Sequence, residues 1–263
     1  MVRRIGIVGG GNMGLALAKT ITDRFPGVSI YVYDVSRDRL ALFEQELPDV
    51  QIVGGPLELA EASEVVFLSV KPQDIQSVLQ ELQNTDRLVI SIAAGVAIAR
   101  IESVLTKARV VRVMPNTPCL VGAMAAGYAF GSKVRQPDRE VVQRLLSSAG
   151  YAAEVEEELL DAVTGLSGSG PAFVARLIEA FIEAGKGLGL EPEIARNLSL
   201  QTFFGTAKLL ADTGMEPRKL VDMVSSPNGT TVAGRRLLDT SDYAEVIGGT
   251  IRAATERSKE LGR

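Results

Sequence analysis

The sequence predicts an α/β protein, a doubly wound parallel sheet followed by a smaller all-helical domain. Three observations carry that expectation. Short apolar runs alternate with amphipathic segments through the first half of the chain, and the first of those runs ends in a glycine cluster. After about Glu156 the β-type runs stop, and helical spacing punctuated by Gly, Pro and Ser takes over. The boundary is therefore expected between residues 155 and 156, giving domains 1–155 and 156–263.

The elements follow in order. Arg3 to Val8 is a short apolar run that enters Gly9-Gly10-Gly11-Asn12-Met13-Gly14, which reads as a strand feeding a tight turn. Helical spacing follows through Leu15, Ala18, Ile21 and Thr22, and Val28 to Tyr33 forms a second strand that stops at Asp34. This is one βαβ unit. Val65 to Val70, Leu88 to Ile92 and Val110 to Val113 read as further buried strands, and the last strand is expected at Ala123 to Phe130. In the second half, Gly170-Pro171 starts a helix whose Phe173, Leu177 and Phe181 form an i, i+4 stripe. Leu220, Val221, Met223 and Val224 make another apolar face, and a last helix carries Val246, Ile247, Ile251, Ala254 and Leu261. About a hundred helical residues make a small core, so some of these faces are expected to be buried in a homodimer or larger homo-oligomer.

Composition excludes several classes of function. The 263 residues include 28 basic and 32 acidic side chains with no run of like charge, so no basic face for nucleic acid is expected. No apolar stretch reaches about 20 residues, and neither a signal peptide nor a membrane span is expected. The single cysteine, Cys119, fits a reducing cytoplasm and reads as a small core side chain. The chain has no histidine, which removes Ser-His-Asp and Cys-His mechanisms and, with one cysteine, leaves no metal site expected. Difficult chemistry must then come from a bound organic cofactor.

Gly9, Gly11 and Gly14 form GxGxxG between a strand and a helix, with Asp34 twenty residues beyond Gly14 at the end of the next strand. Such glycines allow a tight turn, close approach to a pyrophosphate and close helix packing, and the helix N-terminus favours the anion. This is the Rossmann-like pattern, and a dinucleotide is the expected cofactor. No Gly-Lys-Ser or Gly-Lys-Thr follows, so ATP is not expected. Ser69-Val70-Lys71-Pro72 ends another strand at the edge where open α/β sheets bind ligands. There Lys71 either faces the cofactor or is a solvated lysine at a strand end. Ala93-Ala94-Gly95 either lets a nicotinamide lie on backbone or is a simple tight turn.

At this point the residues resemble a family. Gly-Asn-Met-Gly at 11–14, Val-Lys-Pro at 70–72, Ala-Ala-Gly at 93–95 and Arg-Val-Met-Pro-Asn-Thr-Pro at 112–118 look like landmarks of the pyrroline-5-carboxylate reductases. Asp161 to Ala172 and Ser225-Ser226-Pro227-Asn228-Gly229-Thr230-Thr231 continue the resemblance into the helical half. It implies reduction of the C=N bond of 1-pyrroline-5-carboxylate to L-proline, the last step of proline biosynthesis, with hydride from NADPH or NADH.

The resemblance also implies residue roles. The cofactor would be bound by Gly9, Gly11, Asn12, Met13, Gly14, Asp34, Ser36, Ser69, Val70, Lys71, Pro72, Ala93, Ala94 and Asn116. The substrate would be bound by Ser226, Gly229, Thr230 and Thr231, with Thr231 catalytic beside the imine nitrogen. Residues 156–263 would serve substrate binding and dimerisation. Backbone N–H groups and hydroxyls opening a helix suit a carboxylate, and Gly229 is expected to let that backbone come close. Two departures bear on the cofactor. Asp34-Val35-Ser36 stands where many relatives carry Asn-Arg-Thr, a set that favours NADPH; the carboxylate admits NADH, Arg37 or Arg39 keeps NADPH open, and the preference between them stays undecided. Pro56 stands where relatives often have an adenosine-side Asn. The competing readings are a reductase of another small cyclic imine or keto acid, and an NAD(P)-binding regulatory protein without turnover.

Overall fold

The computed structural model describes residues 2–262. Its first half runs β1 (Arg4–Val8), α1 (Asn12–Arg24), β2 (Ser29–Tyr33), α2 (Arg37–Glu46), β3 (Gln51–Ile52), α3 (Pro56–Ala62) and β4 (Val65–Leu68). It continues through α4 (Ile75–Glu81), β5 (Leu88–Ser91), α5 (Ile98–Val104), β6 (Arg109–Met114), β7 (Met124–Phe130), α6 (Gln136–Ser147) and β8 (Gly150–Glu154). The second half holds α7 (Leu160–Val163), α8 (Gly170–Gly187), α9 (Pro192–Thr213), α10 (Pro217–Met223), α11 (Thr230–Asp239) and α12 (Tyr243–Leu261).

The strands form one sheet in the order β3-β2-β1-β4-β5-β6-β7-β8. Alternation along each strand feeds two separate cores, as a doubly wound sheet requires. Ile5, Ile7, Val65, Phe67, Leu88 and Ile90 face one core with Leu17 and Ile21 of α1, Phe43 of α2 and Val142 of α6. Val8, Val66, Leu68, Val89 and Val110 face the other with Leu59 of α3, Leu79 of α4 and Ile101 of α5. This is the architecture the sequence predicts.

Two expectations are corrected in detail. The sheet is not wholly parallel, because β7 runs antiparallel to β6, pairing Val113 with Tyr128 and Met114 with Gly127. The link between them is a short 3₁₀ turn over Thr117–Val121, too short for the crossover a parallel neighbour needs. Nor does the sheet end at Phe130, since β8 pairs parallel with β7 from Met124↔Gly150 to Tyr128↔Glu154. Made of Gly, two Ala, an exposed Tyr151 and an exposed Glu154, β8 carries no apolar run to announce it.

Packing groups the chain into a unit of Met1–Pro171 with Ile251–Arg263 and a unit of Ala172–Thr250, a division other than 155/156. The end of α12 belongs with the sheet. Ser258 Oγ donates to Asp161 Oδ1 at 2.6 Å, and a Cβ on Gly165 would lie 2.2 Å from Thr255 Oγ1. Within the other unit, α8, α10 and α11 bury no residue completely, and α9 buries only Ala195 and Ser199. Phe181, Leu198, Phe204 and Leu237 are all more than half exposed on the single chain. Among the described residues no helix is long and apolar enough to cross a membrane.

Candidate active site

The glycine turn sits where the strand order reverses between β1 and β4, at the C-terminal ends of the parallel strands. That crevice is the general ligand site of open α/β sheets. The protein's own packing accounts for two of the three glycines. Gly9 has φ +103°, and a Cβ there would meet the Ser69 carbonyl carbon at 2.7 Å. At Gly14 a Cβ would lie 2.5 Å from the Gly9 carbonyl oxygen and 3.1 Å from Ile7, so this glycine lets α1 close on β1. Gly11 is different. No heavy atom lies within 4 Å of the Cβ it lacks, so nothing in the chain asks for glycine there. The empty space lies at the N-cap of the 13-residue α1, which has no side-chain cap. Its free N–H groups and dipole suit a pyrophosphate.

Asp34 follows β2 and joins this turn. The Gly10 N–H donates to its Oδ2 at 2.6 Å and the Ser36 N–H to its Oδ1 at 2.7 Å, fixing the carboxylate over the glycine loop. Arg39 Nη1 donates to Asn12 Oδ1 at 2.9 Å, which holds its guanidinium on the rim of the turn. Arg37 is exposed, as is Asn12, while Met13 and Ser36 are half-buried. Pro56 is buried at the first position of α3 and offers no polar group.

The remaining predicted residues lie along the same edge of the sheet. Ser69 follows β4, and its buried Oγ has no hydrogen-bond partner although it stands beside Gly9 and Gly14. An orphaned hydroxyl next to an open glycine turn fits a bound dinucleotide. Val70 is half-buried, and Lys71 and Pro72 are exposed at the start of a short 3₁₀ turn. After β5, Ala93 points inward at 3% exposure and Ala94 is exposed. Only Ala94 therefore offers its face to a ligand.

Asn116 is spoken for by the protein. At 6% exposure, its Nδ2 donates to the Ser167 carbonyl at 3.1 Å and its Oδ1 accepts from the Ala125 N–H at 2.8 Å. It thus braces the end of β6 against β7 and against a π-helical turn at Thr164–Gly168. Single π turns recur at functional sites, and sequence reasoning did not single this one out. Its signal was the continuation of a helical path through Gly165-Leu166-Ser167-Gly168, residues that poorly support a regular helix. Nearby Cys119 is fully buried, and burial pushes its thiol up to about 11. Cys119 is therefore expected to resist a thiol-labelling reagent at neutral pH in the folded protein and to react fully in denaturant, which a colorimetric thiol count resolves.

The segment Ser226–Thr231 forms a second cluster, within the helical unit. Asn228 has φ 58°, the one positive φ outside glycine among the described residues, and turns the chain into α11. Gly229 is the N-cap, and the Ala233 N–H donates to its carbonyl at 3.3 Å. The N–H groups of Thr230, Thr231 and Val232 are left without helical acceptors. Its φ of −76° is ordinary. A Cβ on Gly229 would lie 2.4 Å from Ser226 Oγ, which could rotate away, and 3.0 Å from the Ser226 carbonyl oxygen, a tighter contact that the backbone would have to absorb. Ser226, Thr230 and Thr231 are exposed, and among the described residues no hydrogen bond engages their hydroxyls, whereas Ser225 Oγ donates to the Val221 carbonyl at 2.6 Å. Three exposed hydroxyls and three N–H groups without helical acceptors at the start of a ten-residue helix suit an anion without any cationic side chain.

The family described as pyrroline-5-carboxylate reductase dimerisation matches residues 157–261, and that described as NADP oxidoreductase, coenzyme F420-dependent, matches residues 4–95. A pyrroline-5-carboxylate reductase of Synechocystis is 39% identical over 263 residues, 99% of this chain and 98% of that protein. One from Methanosarcina acetivorans is 39% identical over the same shares of both chains. The structure of a pyrroline-5-carboxylate reductase from Coxiella burnetii superposes with a TM-score of 0.93 at 33% identity, covering 98% of each chain. The Plasmodium falciparum pyrroline carboxylate reductase with NADP bound gives 0.86 at 31%, covering 99% of this chain and 98% of that one. End to end, with the glycine turn and the Ser226–Thr231 segment inside the matched length, this chain belongs to the pyrroline-5-carboxylate reductase family.

Proposed function

We propose that the protein reduces 1-pyrroline-5-carboxylate to L-proline with hydride from NAD(P)H, acting in the cytoplasm as a homo-oligomer built from dimers. The observation that carries this reading is the end-to-end similarity to curated reductases of that name at 39% identity. When bound, the reduced nicotinamide supplies a hydride that forms the new C–H bond at the imine carbon, and the C=N π pair is left on nitrogen. The chain's own residues hold, orient and shield.

Gly11, with the N–H groups of α1, receives the pyrophosphate, and Ser69 Oγ donates toward the dinucleotide. Met13, Val70, Pro72 and Ala94 supply apolar contact, and Lys71 stands exposed at the rim. Ser226, Thr230 and the N-terminus of α11 receive the substrate carboxylate without a cationic side chain. Thr231 Oγ1 hydrogen-bonds the ring nitrogen and holds it for protonation. An unactivated hydroxyl is a weak acid, so orientation supplies most of the rate. Residues 156–263 serve as the substrate and dimerisation domain, and the exposed faces of α8 to α11 support that role.

Asp34 sets the nucleotide preference. Each of its oxygens already accepts one backbone N–H and retains a lone pair for the ribose 2′-hydroxyl, while its charge repels a 2′-phosphate. NADH is expected to bind more tightly than NADPH by on the order of tenfold or more. Asp34→Ser is expected to narrow or invert the ratio, read from fluorescence titrations of both nucleotides. An unchanged ratio removes Asp34 as the determinant.

The test of function is the loss of absorbance of NADH and NADPH when 1-pyrroline-5-carboxylate is added to the purified protein. Oxidation that depends on this imine supports the reading. Tight nucleotide binding without it overturns the reading.

A further inference from the structure

At the opposite end of the sheet from the glycine turn, a cavity of about 430 Å³ is lined by Asp86, Arg87, Lys107, Arg109, Lys133 and Arg135. Arg87 precedes β5, Arg109 opens β6, and Lys133 and Arg135 follow the antiparallel β7. The reversal of β7 thus brings the chain after Phe130 back beside the N-terminal ends of β5 and β6. We propose that this cavity binds a small multivalent oxyanion of the phosphate class, distinct from the dinucleotide.

Charge is the first argument. The lining carries five cations and one carboxylate, a formal +4, on a chain whose total is −4. Asp138, bonded to Arg109, lowers the local sum only to +3. Like charges gathered in one concavity repel each other, and the field they focus there attracts an anion.

Order is the second argument. The Arg87 Nε donates to the Ala60 carbonyl at 3.1 Å and its Nη2 to the Glu61 carbonyl at 3.5 Å. The Asp86 carboxylate stands 3.9 Å from that Nε. Arg109 Nη1 donates to Asp138 Oδ1 at 3.0 Å, and the other oxygen of Asp138 accepts the Arg135 N–H at 3.0 Å. Two guanidiniums are therefore fixed before any ligand arrives, which lowers the entropic cost of binding. The side chains of Lys107, Lys133 and Arg135 are in no ion pair among the described residues and remain available.

Planar guanidinium forks beside mobile ammonium groups match tetrahedral oxyanions. The lining is +4 on a chain of −4, so the rest of the chain is acidic and disfavours an extended polyanion as the occupant.

The probe is inorganic pyrophosphate, titrated calorimetrically into the full-length protein with NADH present in excess to occupy the glycine turn. One saturable site per chain is expected, weakened on the order of tenfold or more in the Lys107→Ala/Lys133→Ala double variant and by raising salt. Both lysines are exposed, so this variant is expected to keep its melting temperature, and Lys208→Ala on α9 serves as the control that leaves binding unchanged. Orthophosphate, titrated the same way, is expected to bind the same site more weakly. No saturable binding of pyrophosphate overturns the proposal, as does binding that the double variant retains in full, which assigns the anion elsewhere.

Discussion

Gly11→Ala is expected to fold with nearly unchanged stability and to lose dinucleotide affinity by on the order of tenfold to a hundredfold. The expectation rests on an asymmetry within one short loop. A methyl at Gly11 meets no protein atom within 4 Å, and its φ of −68° and ψ of 174° suit alanine. The cost to the folded chain is then that of alanine at an N-cap, about 1 kcal/mol or less. The methyl does, however, occupy the space left for a pyrophosphate. Gly14→Ala is the contrasting case, because its Cβ would lie 2.5 Å from the Gly9 carbonyl oxygen and force α1 off β1. It is expected to lower the melting temperature as well as affinity. Thermal unfolding and NADH fluorescence titration on the two variants separate the roles. If Gly11→Ala binds NADH normally, the open space at the turn is not the pyrophosphate site.

Thr231→Val is expected to lower kcat by on the order of a hundredfold while leaving NADH binding and stability intact. Valine keeps the shape and removes only the hydroxyl, which makes no hydrogen bond among the described residues, so no structural bond is lost. Thr231→Ser is expected to recover much of the rate, since it restores a hydroxyl at the same first turn of α11. A rise in KM alone, with kcat unchanged, would move Thr231 to the carboxylate and leave the ring nitrogen to another donor. Loss of rate in Thr231→Val without recovery in Thr231→Ser would point to the methyl group and to packing.

Much of this was legible in the chain because the relevant signals are local. The Gly9, Gly11, Gly14 spacing and Asp34 twenty residues on specify a turn, a helix start and a strand end without reference to anything distant. The structure adds that these glycines serve different ends, two for the protein's own packing and one for open space. Non-local features escaped. The antiparallel β7 looks like any other apolar run until its link to β6 is seen to be too short for a crossover. As an edge strand whose Tyr151 and Glu154 are exposed, β8 lacks the apolar alternation that marks a half-buried one. Asn116 sat inside a recognisable segment, yet its partners are Ser167, 51 residues away, and Ala125. The sequence predicts Gly229 for close approach to a ligand, and the structure adds that a Cβ there would also crowd the Ser226 carbonyl at 3.0 Å.

Helices α8 to α11 keep Phe181, Leu198, Phe204 and Leu237 on the surface of the single chain. Covering these faces in a homo-oligomer would add stability by mass action. Each chain that finds a cover is removed from the pool of unfolded ones, and the midpoint of thermal unfolding climbs with the logarithm of protein concentration. Dilution then acts as a denaturant. Newly made chains at low abundance face the longest wait with apolar helices uncovered, and aggregation competes with assembly during that interval.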